Sequence, residues 1–279
     1  MLVIRNTSHV LGFIAAIFLL AGGLTFSCIG CSTLQRESDF SHPLTHRTHA
    51  PVDAFVLVKV TLEAHPTDCV SKKSYIECDK LLKELPVIEH TSTGSGLLVE
   101  SDMGPAILTA AHVCEEDTPH TFVHDGVTIS ILSMINIKVY SPIHGSFTAS
   151  VVRLDTKKDL CLLRVKKVFT HPVSIADSSP LIGDKVYSIA APYGIAGSNL
   201  ALVFSGFYSG STRSMEYFTI PTRPGSSGAA VLNEDWKVIG ILQLAFKKLE
   251  NVGMGSGLED IRTFLFSPVE VDVQIDDGS

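Results

Sequence analysis

Basic residues are scarce in this sequence, and they form no continuous stripe. The chain has 279 residues, with 22 lysines and arginines against 29 aspartates and glutamates, which gives a formal net charge of -7. No basic run with interleaved aromatic residues occurs, so the electrostatic footprint of a protein that binds a phosphate backbone is missing. No glycine-rich loop followed by Lys-Ser or Lys-Thr occurs either. We therefore expect no nucleic-acid partner and no nucleotide cofactor.

Closely spaced cysteines are also missing from most of the chain. Six cysteines occur, and no Cys-x-x-Cys pair follows residue 31, which argues against a thiolate zinc site. Three histidines, His42, His46 and His49, lie near one another, but Pro43 breaks the helix that would align them. We expect no metal ion and no cofactor of any kind.

Charge is almost absent from residues 1–31. Arg5 is the only formally charged residue before Arg36, and residues 10–31 are nearly all apolar or small. A secretory signal and a membrane-spanning helix of about 20 apolar residues both fit this pattern. The sequence Ile-Gly-Cys-Ser around Cys31 resembles the end of a bacterial lipoprotein signal, in which the cysteine is lipidated. We favour a lipid on Cys31 over an uncleaved signal anchor. Either would attach the chain to a membrane outside the cytoplasm, and a simple signal peptide would give a secreted protein.

The rest of the chain divides into a linker, one large domain and a tail. Residues 32–52 contain serine, threonine, proline and histidine without an apolar period, which predicts a linker. Residues 53–267 carry the apolar runs, and residues 268–279 form an acidic tail. With 45% hydrophobic residues, the chain can bury the core of one two-barrel domain or of two small domains.

Short runs rich in valine, isoleucine and leucine, separated by turn-forming residues, predict a domain made almost entirely of β-strands. The first set covers residues 55–62, 95–100, 106–109, 135–140, 146–154 and 160–165, and the second covers residues 184–190, 200–208, 216–220, 229–232, 237–244 and 253–257. A linker near residues 168–181 separates the two sets. The apolar positions Leu258, Ile261, Phe264 and Leu265 predict a short amphipathic helix over residues 258–266.

Three short segments carry residues of a catalytic type. Small residues precede His112 at the end of a predicted strand, Asp159 precedes the apolar run 160–163, and glycines flank Ser227 within residues 225–228. A histidine can act as a general base, a carboxylate can orient it, and a serine can be the nucleophile. Each segment alone is a weak signal, whereas their order and their strand context make a specific one.

These segments resemble the catalytic motifs of the trypsin-like, chymotrypsin-fold serine peptidases, over roughly residues 54–266. Gly-Ser-Ser-Gly-Ala-Ala at 225–230 is similar to the family's Gly-x-Ser-Gly-Gly-Pro, with Ala229 and Ala230 in place of Gly-Pro. The resemblance implies an all-β fold of two six-stranded antiparallel β-barrels, at about residues 53–167 and 182–257, with a short C-terminal helix. The catalytic segments are closest to HtrA-type enzymes. The short stretch after Phe266 leads us to expect no appended peptide-binding PDZ domain.

The resemblance also implies a role for each catalytic residue. His112 would take the proton of Ser227 and later deliver it to the leaving amine, while Asp159 would hold His112 in the useful tautomer. The backbone N–H groups of Gly225 and Ser227 would form the oxyanion hole. The protein would then be a serine endopeptidase that acts on protein or peptide substrates through an acyl-enzyme.

Two neighbouring residues compete for these roles. Ser226 adjoins Ser227, but only Ser227 has a glycine two residues before it and another directly after it. Asp155 lies four residues before Asp159, but it precedes Thr-Lys-Lys, which is typical of an exposed turn. We assign the nucleophile to Ser227 and the orienting carboxylate to Asp159.

By the same resemblance, a small set of residues would receive the side chain before the scissile bond. These substrate-binding residues are Pro224, Gln243, Leu244, Ala245 and Gly255, and none is acidic. A preference for Lys or Arg needs a buried carboxylate, so we expect small to medium apolar side chains such as Ala, Val, Leu or Met. Arg223 supports an alternative preference for acidic side chains.

The four later cysteines allow more than one arrangement. Cys69 and Cys78 flank a short segment between two predicted strands, where a local disulfide could form. Cys114 and Cys161 each follow a catalytic residue by two positions, so a second disulfide could form there if the triad assembles. For Cys161 we expect a buried free thiol instead, and for Cys114 both arrangements stay open.

The alternative hypothesis is a function without catalysis. The same fold could serve as an inactive binding or scaffold module of the cell envelope, with the triad retained in sequence and the oxyanion loop or the substrate cleft collapsed. Covalent labelling of Ser227 by a serine-directed probe distinguishes the two functions.

Overall fold

The computed structural model describes residues 48–71, 78, 82–85, 87–115, 121–124, 127–246, 249 and 251–266. The predicted lipidation site Cys31, the export segment around it, most of the 32–52 linker and the acidic tail lie outside these residues. Within the described part of the chain, no helix has the length and apolar character needed to span a membrane.

Seven antiparallel strands form the first sheet. They are β1 (Phe55–Ser71), β2 (Ile88–Val99), β3 (Ala106–Thr109), β4 (Thr121–His124), β5 (Val127–Ser141), β6 (Gly145–Asp155) and β7 (Leu160–Val165). Their order is β1-β2-β3-β7-β6-β5-β4, and β1 also pairs with β5. Six of the strands therefore close into a barrel, and β4 pairs with the outer part of β5.

Strands β1 and β5 continue well past their predicted ends. The predicted strands stop at Leu62 and begin at Ile135, whereas the observed ladder runs on until Ser71 faces Val127. Polar residues interrupt the apolar pattern there, so hydrophobicity gave no signal for the extension; backbone pairing between the two strands forms it. A disulfide joins Cys69 at the far end of β1 to Cys78, with a sulfur–sulfur distance of 2.09 Å, which confirms the local pairing.

The second sheet also has seven strands. They are β8 (Lys185–Ala190), β9 (Leu202–Ser211), β10 (Glu216–Phe218), β11 (Ala230–Leu232), β12 (Val238–Ile241), β13 (Leu244–Ala245) and β14 (Gly253–Gly255), in the order β12-β11-β8-β9-β10-β14-β13. The sheet curls back on itself, because the Ile241 N–H donates to the Ser256 carbonyl at 3.0 Å and Gly240 bridges Gly257. The predicted all-β fold of two barrels is confirmed, with β4 and β13 as additional short strands.

One apolar core joins the barrels and the C-terminal helix. All four residues of β3 are buried, as are residues 160–163 of β7. They share a cluster with Val238 and Ile241 of the second barrel and with Phe264 of the helix. This helix, α2 (Leu258–Phe266), buries the four apolar residues that predicted it, and the short helix α1 (Ala111–Cys114) precedes it in the chain. Contacts on both faces explain why residues 106–108 of β3 and 160–163 of β7 are apolar without alternation.

Candidate active site

His112 lies on a short helix that leaves the first barrel. Strand β3 ends at Thr109, and α1 begins two residues later, so His112 is the second residue of the helix. The side chain is about half exposed, at 46%, while Ala111, Val113 and Cys114 are buried. The apolar residues of α1 therefore anchor the helix and leave the imidazole at the surface.

Asp159 lies in the turn between β6 and β7, and its backbone has φ of 52°. This left-handed conformation is unfavourable for residues other than glycine, and aspartate is among the few that adopt it. Asp155 opens the same turn, where its Oδ1 accepts hydrogen bonds from the backbone N–H groups of Lys157 and Lys158, both at 3.0 Å. The carboxylate of Asp155 thus stabilises the turn through backbone hydrogen bonds, whereas the carboxylate of Asp159 points away from the turn.

Both oxygens of the Asp159 carboxylate face His112. Oδ2 lies 2.8 Å from Nδ1 of the imidazole, and Oδ1 accepts the His112 backbone N–H at 2.9 Å. A carboxylate is only an acceptor, so in the neutral imidazole the proton lies on Nδ1 and the free lone pair lies on Nε2. The arrangement can prepare His112 to accept a proton at Nε2.

A disulfide between Cys114 and Cys161 joins the two segments that carry this pair, with a sulfur–sulfur distance of 2.04 Å. The expectation of a free thiol at Cys161 is wrong. Strand pairing places Thr109 opposite Cys161, and α1 follows Thr109 directly, so the two cysteine Cα atoms lie 6.6 Å apart. Both cysteines are buried, and burial alone did not distinguish a core thiol from a buried disulfide.

Glycines shape the loop that carries Ser227. Gly225 has φ of 92° and Gly228 has φ of 85°, in the region that favours glycine. A Cβ atom on Gly225 would lie 2.5 Å from the Ala191 carbonyl oxygen. The neighbouring Ser226 is buried, and its hydroxyl accepts the Arg223 N–H at 3.3 Å. Ser226 thus contributes to the loop structure, whereas the Ser227 hydroxyl donates to the Gln243 carbonyl at 3.3 Å.

Ser95 of β2 attaches this loop to the first barrel. Its N–H donates to the Ser227 carbonyl at 2.7 Å, and its hydroxyl donates to the Gly225 carbonyl at 2.8 Å. The same hydroxyl accepts the Ala191 N–H at 2.9 Å, and Ser95 is fully buried. The sequence pattern placed Ser95 only at the start of the predicted strand 95–100. A serine between Gly94 and Gly96, directly before the apolar run 97–99, was the available signal.

The N–H groups of Gly225 and Ser227 donate to no residue that the structure describes. The peptide plane of each is nevertheless fixed, because the Pro224 carbonyl accepts the Tyr193 N–H at 2.6 Å and the Ser226 carbonyl accepts the Ala229 N–H at 3.0 Å. In a trans peptide the N–H points opposite to the carbonyl of the same plane. Two oriented donors beside a serine hydroxyl can stabilise a developing oxyanion.

The predicted substrate-binding residues have different surroundings. Leu244 and Ala245 form β13 and are exposed, and Pro224 lies in the serine loop. The Gln243 side chain is buried and faces the β6–β7 turn. A Cβ on Gly255 would lie 1.8 Å from the Ile241 carbonyl oxygen, so this glycine allows a close approach of two strands.

Thr222 and Gly253 lie against each other behind the serine loop, and sequence reasoning did not select either. A Cβ on Gly253 would lie 2.4 Å from the Thr222 hydroxyl oxygen and 2.8 Å from Leu242. Thr222 is buried, and its hydroxyl donates to the Ile220 carbonyl at 3.1 Å. Thr222, Gly253 and Leu242 are uncharged and closely packed, and the Arg223 guanidinium contacts the Thr222 carbonyl at 3.1 Å.

Comparison with known proteins identifies a family. The sequence profile of the trypsin-like peptidase domain matches residues 94–241, just over half of the chain. A probable periplasmic serine endoprotease, DegP-like, from Chlamydia pneumoniae is 29% identical over 170 residues, which are 57% of this chain and 30% of that protein. One from Rickettsia conorii is 30% identical over 193 residues, which are 64% and 32%. The chain thus spans about a third of the length of these curated relatives.

Two solved structures share the fold. The serine endoprotease from Yersinia pestis has a TM-score of 0.51 at 21% identity, covering 76% of this chain and 61% of its own. Rv3671c from M. tuberculosis H37Rv, in an inactive mutant form, has a TM-score of 0.51 at 17% identity, covering 78% and 90%. At these identities the likeness concerns the fold.

Proposed function

This chain belongs to the trypsin-like peptidase family, and on that premise we propose that it is a serine endopeptidase with a His112–Asp159–Ser227 triad. The observation that carries the proposal is the double contact of the Asp159 carboxylate with the ring and the backbone of His112. The N–H groups of Gly225 and Ser227, which donate to no residue in the described part of the chain, support it further. Protein or peptide chains are the substrates, and no cofactor takes part.

The proposed reaction begins with a rotation of the Ser227 hydroxyl from the Gln243 carbonyl toward Nε2 of His112. His112 removes the hydroxyl proton while Ser227 attacks the substrate carbonyl, and the N–H groups of Gly225 and Ser227 bind the resulting oxyanion. His112 then protonates the leaving amine, which gives an acyl-enzyme. Water hydrolyses this ester by the same steps, with His112 again as the base.

Substrate preference would follow from the uncharged residues that lie behind the serine loop. Pro224, Leu244, Ala245, Gly255 and the main chain of Gln243 would surround the side chain before the scissile bond. Thr222 and Leu242 fill the space behind Gly253, and none of these residues carries a charge that could select Lys or Arg. We propose a preference for Ala, Val, Leu or Met. Extra methylene groups in such a site discriminate by only about 1–3 kcal/mol.

Acidic side chains are the alternative preference. Arg223 would have to turn its guanidinium toward the substrate, but its Nη1 donates to the Thr222 carbonyl at 3.1 Å. That contact favours the apolar preference.

The proposed location is outside the cytoplasm, with attachment through a lipid on Cys31 or through a signal anchor. Relatives named as periplasmic and the two disulfides support an oxidising compartment. Metabolic labelling with a fatty acid tests the attachment. Cys31→Ser should abolish lipid labelling and leave uncleaved precursor, whereas Cys28→Ser should not. A wild-type chain that stays in the membrane at full length and without lipid would favour the signal anchor.

The alternative function is an inactive binding or scaffold module. One observation favours it, namely that the Ser227 hydroxyl contacts the Gln243 carbonyl in this structure.

A peptide-library cleavage profile separates the two functions. The wild-type protein should cleave after small to medium apolar residues, and Ser227→Ala should not cleave. No cleavage of any library by a folded wild-type protein would favour the scaffold. Cleavage after Lys or Arg would contradict the substrate preference, and cleavage after Glu or Asp would assign the preference to Arg223.

A further inference from the structure

Gln243 contacts both the turn that carries Asp159 and the nucleophile Ser227. We propose that its side chain is a positioning residue that holds the Asp159 turn in the geometry needed to orient His112. The inference rests on the proposed peptidase function. It assigns the Gln243 side chain to the triad rather than to the substrate.

The side-chain amide of Gln243 is buried and bonded to main-chain carbonyls. Its Nε2 lies 2.7 Å from the Asp159 carbonyl oxygen and 2.8 Å from the Lys158 carbonyl oxygen. The side chain belongs to a residue with only 3% exposure. A primary amide has two N–H donors and these carbonyls accept one each, so the contacts also fix which end of the amide is nitrogen.

The hydrogen bonds from Gln243 hold the Asp159 backbone in a conformation that is unfavourable without them. Asp159 has φ of 52°, and residues in such regions persist only when their surroundings hold them. Asp155 binds the N–H groups at the start of the turn, while Gln243 binds the carbonyls at its end. With both sides bound, the direction of the Asp159 side chain toward His112 is set.

The second barrel supplies further contacts to the same turn. The Ser256 hydroxyl donates to the Lys158 carbonyl at 2.7 Å, and the Lys158 ammonium pairs with Asp260 of α2 at 2.8 Å. Only Gln243, however, reaches the Asp159 carbonyl among the described side chains. The Ser256 hydroxyl also accepts a hydrogen bond from Gln243 Nε2 at 3.1 Å. Loss of Ser256 therefore removes one bond to the turn and one contact to Gln243, but it keeps the bond between Gln243 and Asp159.

The main chain of Gln243 extends the argument to the nucleophile. Its carbonyl accepts the Ser227 hydroxyl at 3.3 Å, and its N–H donates to the Met254 carbonyl at 2.9 Å. Side chain and main chain of one residue thus contact the two ends of the triad, which lie on different barrels. A shift of Gln243 would change both distances at once.

The test compares Gln243→Glu and Gln243→Met with wild type. The carboxylate keeps the shape but faces two carbonyl oxygens, and methionine keeps the volume but lacks the donors. We expect kcat to fall about 10²-fold in both, as for a displaced catalytic group, with KM changed much less. Ser256→Ala should cause a smaller fall. Asn136→Asp repeats the amide-to-carboxylate change on the exposed face of β5 and should leave kcat unchanged.

Coupling to Asp159 distinguishes positioning from general destabilisation. In an Asp159→Asn background, Gln243→Met should lower kcat little further, because the group it positions is already lost. Fully multiplicative losses would overturn the proposal, as would a rise in KM with kcat intact, which indicates substrate binding.

A measurement without turnover keeps the proposal separate from the peptidase function. In a proton NMR spectrum, the low-field resonance of His112 Nδ1–H reports its hydrogen bond to Asp159. This resonance should be lost or shifted in Gln243→Met, while the backbone amide resonances keep the dispersion of a folded protein. An unchanged resonance would overturn the positioning role. A wild-type protein that shows the resonance but cleaves no peptide would contradict the proposed function instead.

Discussion

The part of the site on the first barrel is held by a disulfide and a charged carboxylate, whereas the part on the second barrel is held by neutral hydrogen bonds and glycines. His112 and Asp159 touch directly, and a disulfide links the segments two residues beyond them. The Ser227 loop has no such bond and depends on Ser95 and on the backbone freedom of Gly225. The two parts should therefore fail under different changes.

The contrast teaches how each part tolerates substitution. The covalent bond and the carboxylate restrict where His112 can move, so single changes there act mainly through charge and tautomer. The serine loop is restricted by shape, because a Cβ on Gly225 would overlap the Ala191 carbonyl. A substitution that adds one methyl group to this loop, without any change of charge, should therefore disrupt the loop.

Asp159→Asn should have the largest effect. The asparagine amide would favour the wrong tautomer of His112, and we expect kcat to fall about 10⁴-fold with little change in stability. Steady-state peptide hydrolysis measures this loss. Asp155→Asn is the matched control, and it should cost far less, since Asp155 binds backbone N–H groups of the turn. If Asp155→Asn were the more damaging change, the assignment of Asp159 would be wrong.

Gly225→Ala should have the next largest effect. The added methyl group requires the loop to move and displaces an oxyanion donor, so we expect kcat to fall about 10²- to 10³-fold. Gly104→Ala is the control, because Gly104 also has positive φ, at 85°, but has no atom within 4 Å of the added Cβ. That variant should lose about 1 kcal/mol of stability and keep its kcat. Full activity in Gly225→Ala would contradict the shape argument.

Removal of the disulfide near the site should have an intermediate effect. Replacing Cys114 and Cys161 by serine should lower the free energy of unfolding by about 2–4 kcal/mol and also lower kcat, because it frees α1 relative to β7. Urea unfolding and hydrolysis rates measure the two losses. The other disulfide is the control, and serines at Cys69 and Cys78 should lower stability without changing kcat. Equal effects of both pairs on kcat would remove the special role of Cys114 and Cys161.

The smallest expected effect concerns alkaline pH and the second barrel. Burial, with a hydrogen bond to Glu216 as the second cause, raises the pKa of Tyr208. The neutral tyrosine therefore stabilises the fold below the unfolded pKa of about 10. This stability is lost as pH rises through the folded pKa. Tyr208→Phe should flatten the alkaline decline of the unfolding temperature, with Tyr217→Phe of β10 as the control. An unchanged decline in Tyr208→Phe would contradict this.

Motif order and apolar spacing were sufficient to predict the fold and several elements of it. The helix over residues 258–266 followed from four apolar positions whose side chains are all buried. The strands at residues 106–109 and 160–163 could be predicted because every residue in these two runs is buried. These features depend on local pattern, and local pattern is what a single sequence records.

Contacts between segments that are distant in the chain could not be predicted from the sequence in this way. The disulfide of Cys161 depends on the pairing of β3 with β7, and the bonds of Gln243 depend on a turn 84 residues earlier in the chain. The roles of Ser95 and Thr222 likewise arise from loops that meet only after folding. The polar residue types at Ser95, Thr222 and Gln243 did not indicate burial, and residue type alone did not identify the partner of any of these positions.

The central claim is that Ser227 is the nucleophile of a working peptidase, and covalent labelling tests it most directly. The purified protein is treated with a fluorophosphonate, and the modified residue is located by mass spectrometry after digestion. We expect one adduct, on Ser227, which forms in Ser226→Ala, is absent in Ser227→Ala and forms much more slowly in His112→Ala. An adduct on Ser226, or no adduct on a folded wild-type protein, would contradict it.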